Sequence, residues 1–188
     1  SKLIKSSILK QKNRQKMEGF MYQFYYKFNE DESYCITGCS GEGDSAIFPT
    51  NLNFTIIFDD LFKGNKKLTH VEFPNTVLDL GAFIFDGCEN LKELTLPPHL
   101  KNMWQYALTR CGIEEITIPG SVERIVPYVF NQCKNLHTVY LKEGTKKISA
   151  WAFKDCENLK DVYLPRSIEE ISDNAFEGCP NVTLHYAK

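Results

Sequence analysis

The apolar residues of this chain fall into a compound pattern that recurs. Its clearest copy opens with LKDVYLP (159–165), where Leu159, Val162 and Leu164 are apolar and Asp161 and Tyr163 alternate with them. That alternation has the two-residue period of a strand with one buried face. The proline that follows cannot donate to a ladder, so the strand stops there. The copy continues through Ile168 and Ile171 to the pair Ala175-Phe176 and closes at Cys179. The stretch from Ile171 to Cys179 is too short for a self-sufficient helix. It predicts a helical or 3₁₀ turn starting near Ser172 or Asp173 and ending by Gly178. Copies begin at Leu68, Leu91, Ile113, Leu136 and Leu159, with a partial one at Val182, and cysteines at 88, 111, 133, 156 and 179 mark a spacing of 22 or 23 residues. A period in this range predicts stacked turns that share one core.

Two inward columns run down the copies. The thirteenth position holds Leu80, Met103, Ile125, Ile148 and Ile171, and the eighteenth holds Phe85, Leu108, Phe130, Phe153 and Phe176. No single turn can bury these side chains, so each depends on the walls its neighbours supply. A degenerate earlier copy runs from Ser45 to Lys67, with Pro49 after Phe48, Phe62 in the aromatic column and Asn65 in place of the cysteine. Ahead of it, the runs 20–28 and 33–39 read as two strands joined by a polar turn at 29–32. The chain is thus expected to divide into a basic tail (1–16), an N-terminal capping β-hairpin (17–44) and a solenoid of about six turns (45–188).

The pattern L-x-x-V-x-L-P, then I-x-x-I, then A-F-x-x-C, resembles the BspA-like leucine-rich repeats, also called the TpLRR type, over about 45–186. The segment YCITGCSG (34–41) is similar to that family's usual entry segment. The resemblance implies an α/β right-handed leucine-rich-repeat solenoid, or horseshoe, with parallel strands on its concave face and short helical or 3₁₀ turns opposite. It also implies a bacterial or protist protein, secreted or displayed at the cell surface, that works in adhesion and protein binding. Departures from the pattern are Asn65 for cysteine, Lys142 for proline and Leu108 for phenylalanine. The basic start is not followed by the apolar run of a signal peptide, which leaves a cytoplasmic location as the alternative.

Composition removes several function classes. The formal net charge of −2 hides a segment, 1–16, with six basic and no acidic residues, so the remainder carries a large acidic excess. An acidic body is a poor match for nucleic acid, which needs clustered Lys and Arg. The basic lead is either a solvated tail or a membrane-surface contact. No apolar run approaches the ~20 residues that span a bilayer. Seven cysteines cannot all pair within one chain, and their regular spacing predicts buried free thiols acting as small hydrophobes. No cofactor or metal is expected, since short-loop ligand pairs are missing. His70, His99, His137 and His185 form no H-E-x-x-H motif, and neither a nucleophile elbow nor a phosphate-binding loop occurs. His70 beside Glu72 and Glu93 is the nearest thing to an acid–base cluster, and on an open sheet it lacks the desolvation that catalysis requires. Asn53 and Asn181 sit in N-x-T patterns, which are short and common.

What remains is a surface. The outward strand positions carry Glu72, Thr95, Thr117, Tyr140 and Tyr163, with Tyr186 expected to continue the column, beside His70, Glu93, Glu115, Thr138 and Asp161. Tyrosine offers rigid amphipathic contact area, so this face is expected to bind a protein or a glycan. The competing expectation is that the ladder only stabilises the sheet. A second column holds Phe83, Tyr106, Tyr128 and Trp151; either it is exposed as a contact stripe or the rings complete the packing of neighbouring turns. The expected function is a non-catalytic binding module. The alternative is a structural spacer or assembly segment stacking through an uncapped C-terminal end, as a monomer or a weak end-to-end homodimer.

Overall fold

The structure is a computed structural model that describes residues 22–188; the expected basic tail and residues 17–21 lie outside the described residues. The strands β1 (Gln23–Phe28) and β2 (Tyr34–Ser40) form an antiparallel pair with a register shift between Tyr25 and Tyr26. Six coils follow, 45–67, 68–90, 91–112, 113–135, 136–158 and 159–181. The first supplies β3 (Ser45–Ile47) and β4 (Phe54–Ile57), the second β5 (His70–Glu72) and β6 (Asp79–Leu80), and the third only β7 (Asn102–Met103). The fourth supplies β8 (Glu115–Ile118) and β9 (Arg124–Ile125), the fifth β10 (Thr138–Leu141) and β11 (Lys147–Ile148), and the sixth β12 (Asp161–Leu164) and β13 (Glu170–Ile171). The strand β14 (Thr183–Tyr186) completes the chain's order.

Neighbouring coils pair in parallel along two ladders, one built on the L-x-x-V-x-L segment and one on I-x-x-I. Both ladders break at the third coil. The first consists of a β3-β5 sheet and a β14-β12-β10-β8 sheet; the second consists of β1-β2-β4-β6-β7 and β13-β11-β9. The first ladder is interrupted on both sides of the third coil, which contributes no strand to it, and the second is interrupted between the third and fourth coils. The main chain still crosses there through Glu114 N–H to Lys92 O (3.0 Å), Leu108 N–H to Val129 O (3.0 Å) and Arg110 N–H to Asn131 O (2.9 Å). The third coil is the one shortened to 22 residues, because Cys111-Gly112-Ile113 lacks the asparagine found between cysteine and the next coil elsewhere. Those asparagines tie corner to corner: Asn90 Nδ2 donates to Lys66 O (2.6 Å) and Asn158 Nδ2 to Lys134 O (2.7 Å).

The core follows the two columns. Leu80, Met103, Ile125 and Ile148 are buried, as are Phe85, Leu108, Phe130 and Phe153. Phe62 stacks on Phe85 at 5.8 Å, and Phe130, Phe153 and Phe176 stack in turn at 4.9 and 5.2 Å. Leu108 separates these two aromatic runs at the junction where the ladders stop. Beside the first coil, Phe24 of β1 stacks on Phe48 at 4.5 Å and Tyr26 meets Phe54 edge-on at 5.4 Å. Asn65, in the cysteine position, receives new work: its amide donates to the Tyr22 hydroxyl (2.7 Å) and its oxygen accepts from Lys67 N–H and Leu68 N–H.

The expected helical or 3₁₀ turns do not form; the described residues contain strands and turns only. Two tight turns take their place in each coil, closed for example by Asp86 N–H to Phe83 O and Cys88 N–H to Phe85 O. The cause is backbone handedness. Phe83, Tyr106, Tyr128 and Trp151 have φ of 56°, 62°, 63° and 58°, and Gly87, Arg110, Gln132 and Asp155, four residues on, are left-handed as well. A left-handed residue at this interval ends any right-handed helix. The freed amides bond to the next coil instead, as Phe85 N–H does to Ala107 O (2.9 Å) and Gly87 N–H to Thr109 O (2.9 Å).

All seven cysteines are free thiols, six of them buried and Cys39 half-buried. Cys133, Cys156 and Cys179 donate to the carbonyls of Leu108, Phe130 and Phe153 at 2.9–3.0 Å, so the thiols help to stitch adjacent coils. Burial pushes Cys39 up from 9.0 to about 11 and Cys88 and Cys111 up to about 12. Contact with Cys156, and then burial, raises Cys179 as well. Thiolates, not thiols, are the nucleophiles, so a native sample at pH 8 is expected to leave the buried thiols unmodified by a disulfide reagent, while urea exposes all seven. Linkage fixes the pH dependence. Above pH 9 the unfolded chain loses thiol protons that the folded chain keeps, so stability present below pH 9 is lost progressively toward pH 11–12. Urea midpoints measured from pH 7 to 11 check this, and a flat profile contradicts it.

Candidate functional site

Parallel pairing places equal positions side by side, and the tyrosines of β10 and β12 obey it: Tyr140 pairs with Tyr163, with Thr138 beside Asp161 and Glu115. The Tyr140 and Tyr163 rings stack at 5.0 Å and 10°. Tyr163 is 41% exposed, while Tyr140 is half-buried. Partial desolvation, joined by the nearby Glu115, Tyr163 and Asp161, raises the Tyr140 phenol above its ordinary value. It therefore stays a neutral donor and acceptor throughout the physiological range.

The column does not continue to Tyr186. β14 advances by 22 residues, pairing Asp161 with Thr183, Val162 with Leu184 and Tyr163 with His185. The His185 ring stacks on Tyr163 at 4.6 Å and 15°, and its Nε2 lies 2.7 Å from Asp161 Oδ1. Tyr186 sits opposite Leu164 and is 64% exposed. The signal was present in the sequence: Val182 and Leu184 are two apart, so Leu184 takes the place of Val162 and His185 that of Tyr163. The resulting face is a three-ring stack, Tyr140, Tyr163 and His185, with Asp161 held by the imidazole.

Of the remaining predicted residues, Glu115 shares this sheet, while His70, Glu72 and Glu93 do not. His70 and Glu72 lie on β5, paired with each other at 2.8 Å and both exposed. Glu93 lies in the third coil's unpaired segment, and Glu115 opens β8. Between Glu93 and Glu115 the sheet opens into a groove of about 540 Å³, which Thr95, Thr117 and His137 help to line. The expected continuous face from 70 to 163 is therefore two surfaces with a groove between them.

Phe83, Tyr106, Tyr128 and Trp151 form one stack, at 4.9, 5.0 and 5.5 Å with planes within 9°. All four are half-buried, because each ring face covers the next. Lys63 Nζ sits 4.5 Å over Phe83, and Trp151 Nε1 donates to Glu177 Oε2 (3.0 Å). The stack runs unbroken through the junction where both ladders stop. It therefore crosses from the third coil to the fourth alongside the turn hydrogen bonds.

Among the described residues no group of three or more metal-binding side chains converges, and no helix is long and apolar enough to cross a membrane.

A family profile described as "BspA type Leucine rich repeat region" matches residues 55–183 in 6 copies. A search of curated proteins finds no match. Among solved structures, the Leucine Rich Repeat protein of T. pallidum (TpLRR) is 29% identical with a TM-score of 0.77, over 87% of this chain and 78% of that one. A leucine rich cell surface protein from Faecalibacterium prausnitzii is 25% identical with a TM-score of 0.65, over 88% of this chain and 53% of that one. A leucine-rich repeat protein from Bacteroides ovatus, at 24% identity and a TM-score of 0.60 over 86% of this chain and 52% of that one, shares the fold. The chain thus spans about half the length of the latter two. Six matched copies over more than two thirds of its length, with the parallel stacked coils described above, make this chain a member of the BspA-type leucine-rich repeat family.

Proposed function

We propose that this chain is a non-catalytic binding module whose tyrosine-bearing sheet receives a protein partner, with the whole working outside the cell. The observation that carries the reading is the stack of Tyr140, Tyr163 and His185, one of whose tyrosines is 41% exposed although a sheet needs no aromatic on its solvent side. Rings already ordered by stacking lose little entropy on contact, and tyrosine is enriched among interface anchors. Asp161, Glu115 and Glu93 add a negative rim, which favours a basic partner surface and makes association slower at high salt. The resemblance to a leucine rich cell surface protein of F. prausnitzii supports the extracellular setting. The faces of the second aromatic column are used by one another, which favours a packing role for Phe83, Tyr106, Tyr128 and Trp151.

The test uses any macromolecule shown to bind the wild-type chain. The double variant Tyr140→Ala/Tyr163→Ala is expected to bind at least about tenfold more weakly, in line with loss of two interface anchors, while keeping its urea midpoint within about 1 kcal/mol. Hydrogen exchange should slow at 138–141, 161–164 and 183–186 in the complex. Retained affinity moves the site off this sheet. A second reading, assembly through the last coil, rests on Ile171, Phe176, Val182 and Leu184, which are only half-buried where their counterparts in the coil above are fully buried. Light scattering that shows a monomer at millimolar concentration counts against it.

A further inference from the structure

The junction at which both ladders stop opens a second groove on the other flank, about 730 Å³ in volume, walled by Trp104, Gln105, Arg124, Val126, Pro127 and Asp59. We infer that this groove is a binding site for an acidic saccharide, with the Trp104 indole as the platform for a sugar ring and the Arg124 guanidinium as the carboxylate clamp. It is separate from the tyrosine sheet and does not depend on that sheet's function.

Trp104 is the first reason. Its position in the coil holds Phe58, Gly81, Val126, Ser149 and Ser172 elsewhere, so four of the other five coils pack without a ring there. The side chain is 49% exposed, and among the described residues its indole N–H has no hydrogen-bond partner. A flat exposed indole, with Gln105, Arg124 and Asp59 among the walls beside Val126 and Pro127, suits the apolar face of a pyranose ring. It suits a buried peptide anchor less well, because such an anchor needs an enclosed apolar hole.

Arg124 is the second, independent reason. It belongs to an outward column whose other members bond to one another: Asn102 Nδ2 donates to Asp79 Oδ1 (2.7 Å) and Lys147 pairs with Glu170 (2.6 Å). Arg124, between these two pairs, has no carboxylate partner among the described residues. Only its Nε is engaged, with Ser149 Oγ at 3.1 Å. That bond fixes the side chain while leaving its terminal nitrogens free. A guanidinium held this way offers two parallel donors to a carboxylate. Asp59 on the far side accepts Ala82 N–H on Oδ1 (2.7 Å), and Gln105 adds an amide suited to hydroxyls. Because β7 and β9 do not pair, the groove runs between coils instead of being closed by a ladder.

The experiment titrates the full chain with an oligogalacturonate tetrasaccharide and with its carboxyl-reduced counterpart, by tryptophan fluorescence and by calorimetry. The wild-type chain is expected to bind the uronate at least tenfold more tightly than the reduced sugar. Trp104→Ala should abolish binding of both. Arg124→Gln should lower uronate affinity about tenfold and erase the preference while leaving affinity for the reduced sugar unchanged. Tyr140→Ala/Tyr163→Ala should bind the uronate as the wild type does, which separates this site from the tyrosine sheet. Both single variants alter exposed side chains, and an unchanged urea midpoint shows that the fold persists. Absence of uronate binding at millimolar concentration overturns the proposal, as does equal affinity of Arg124→Gln and wild type. So does preferential binding of a polyglutamate peptide over the uronate.

Discussion

Phe153→Ala is expected to destabilise the chain by about 3–5 kcal/mol, the range for emptying a buried aromatic site, without changing which coils form. Phe153 is 0% exposed and lies between two parallel rings, Phe130 at 4.9 Å and Phe176 at 5.2 Å. The hole cannot collapse locally, because the ladders on both sides fix the coil spacing at the strand separation of about 4.8 Å. The loss therefore includes the transfer of the ring, the cavity, and two ring-on-ring contacts of about 0.5–1.5 kcal/mol each. For a chain of this size it should lower the melting temperature by roughly 6–20 °C. Phe176→Ala supplies the comparison. That ring is half-buried and has a neighbour on one side only, so its loss should be about half as large. Urea melts of the two variants decide the matter; a loss below about 1 kcal/mol for Phe153→Ala, or equal losses for the two, contradicts a shared aromatic spine.

That spine was legible in the sequence because a stack makes equal positions touch. Phe130, Phe153 and Phe176 recur at one place in the pattern, and burial follows from recurrence with no need to know the turn geometry. The same holds for the pairing of Tyr140 with Tyr163, since parallel strands of equal phase put equal residues side by side. Turn geometry was not legible. Nothing in the letters of Phe83, Tyr106, Tyr128 or Trp151 announces a left-handed backbone, a state that bulky residues rarely occupy. The coil needs it there to aim amides at the next coil, and the stacked rings offset the strain. The broken ladders left two traces, the missing residue at Cys111-Gly112-Ile113 and Leu108 in a phenylalanine column. Each looks like ordinary variation alone; only their coincidence in one coil marks the junction. His185 was missed because the last strand changes phase, and a ladder read by fixed spacing assigns the ring to Tyr186.

The junction also shows how the family's plan admits variation. Hydrogen bonds along the turns and the stack from Phe83 to Trp151 cross it without a gap, while both strand ladders stop. Coils can therefore separate slightly at their strands while remaining fastened at their turns. The two grooves on either side, about 540 and 730 Å³, are the product. Ligand-sized space in a repeat protein thus arises from one shortened corner, without an added loop.

Gly120→Ala is expected to cost about 3 kcal/mol or more, an unusual penalty for one methyl group. Gly120 follows Pro119 at the end of β8, and the equivalent bend one coil on is Glu143-Gly144. A Cβ at Gly120 would overlap the Glu143 carbonyl oxygen, and one at Gly144 would overlap that of Gly120. These obstacles are main chain, so no side-chain rotamer can yield; the two coils must part. Parting them strains the β8–β10 pairing, in which Ile118 lies opposite Leu141 immediately beside the contact. Overpacking of this kind costs 1–3 kcal/mol where side chains can adjust, and here they cannot. Gly64→Ala is the comparison that carries no steric clash. Its φ of 73° disfavours a side chain, but nothing lies within 4 Å of the added carbon, so it should cost only about 1 kcal/mol. If the two substitutions prove equally mild in urea melts, the close approach of these coils is not what holds their spacing. If Gly120→Ala instead loses the pairing of 115–118 with 138–141 by hydrogen exchange, the contact of bare backbones is a structural requirement of the stack.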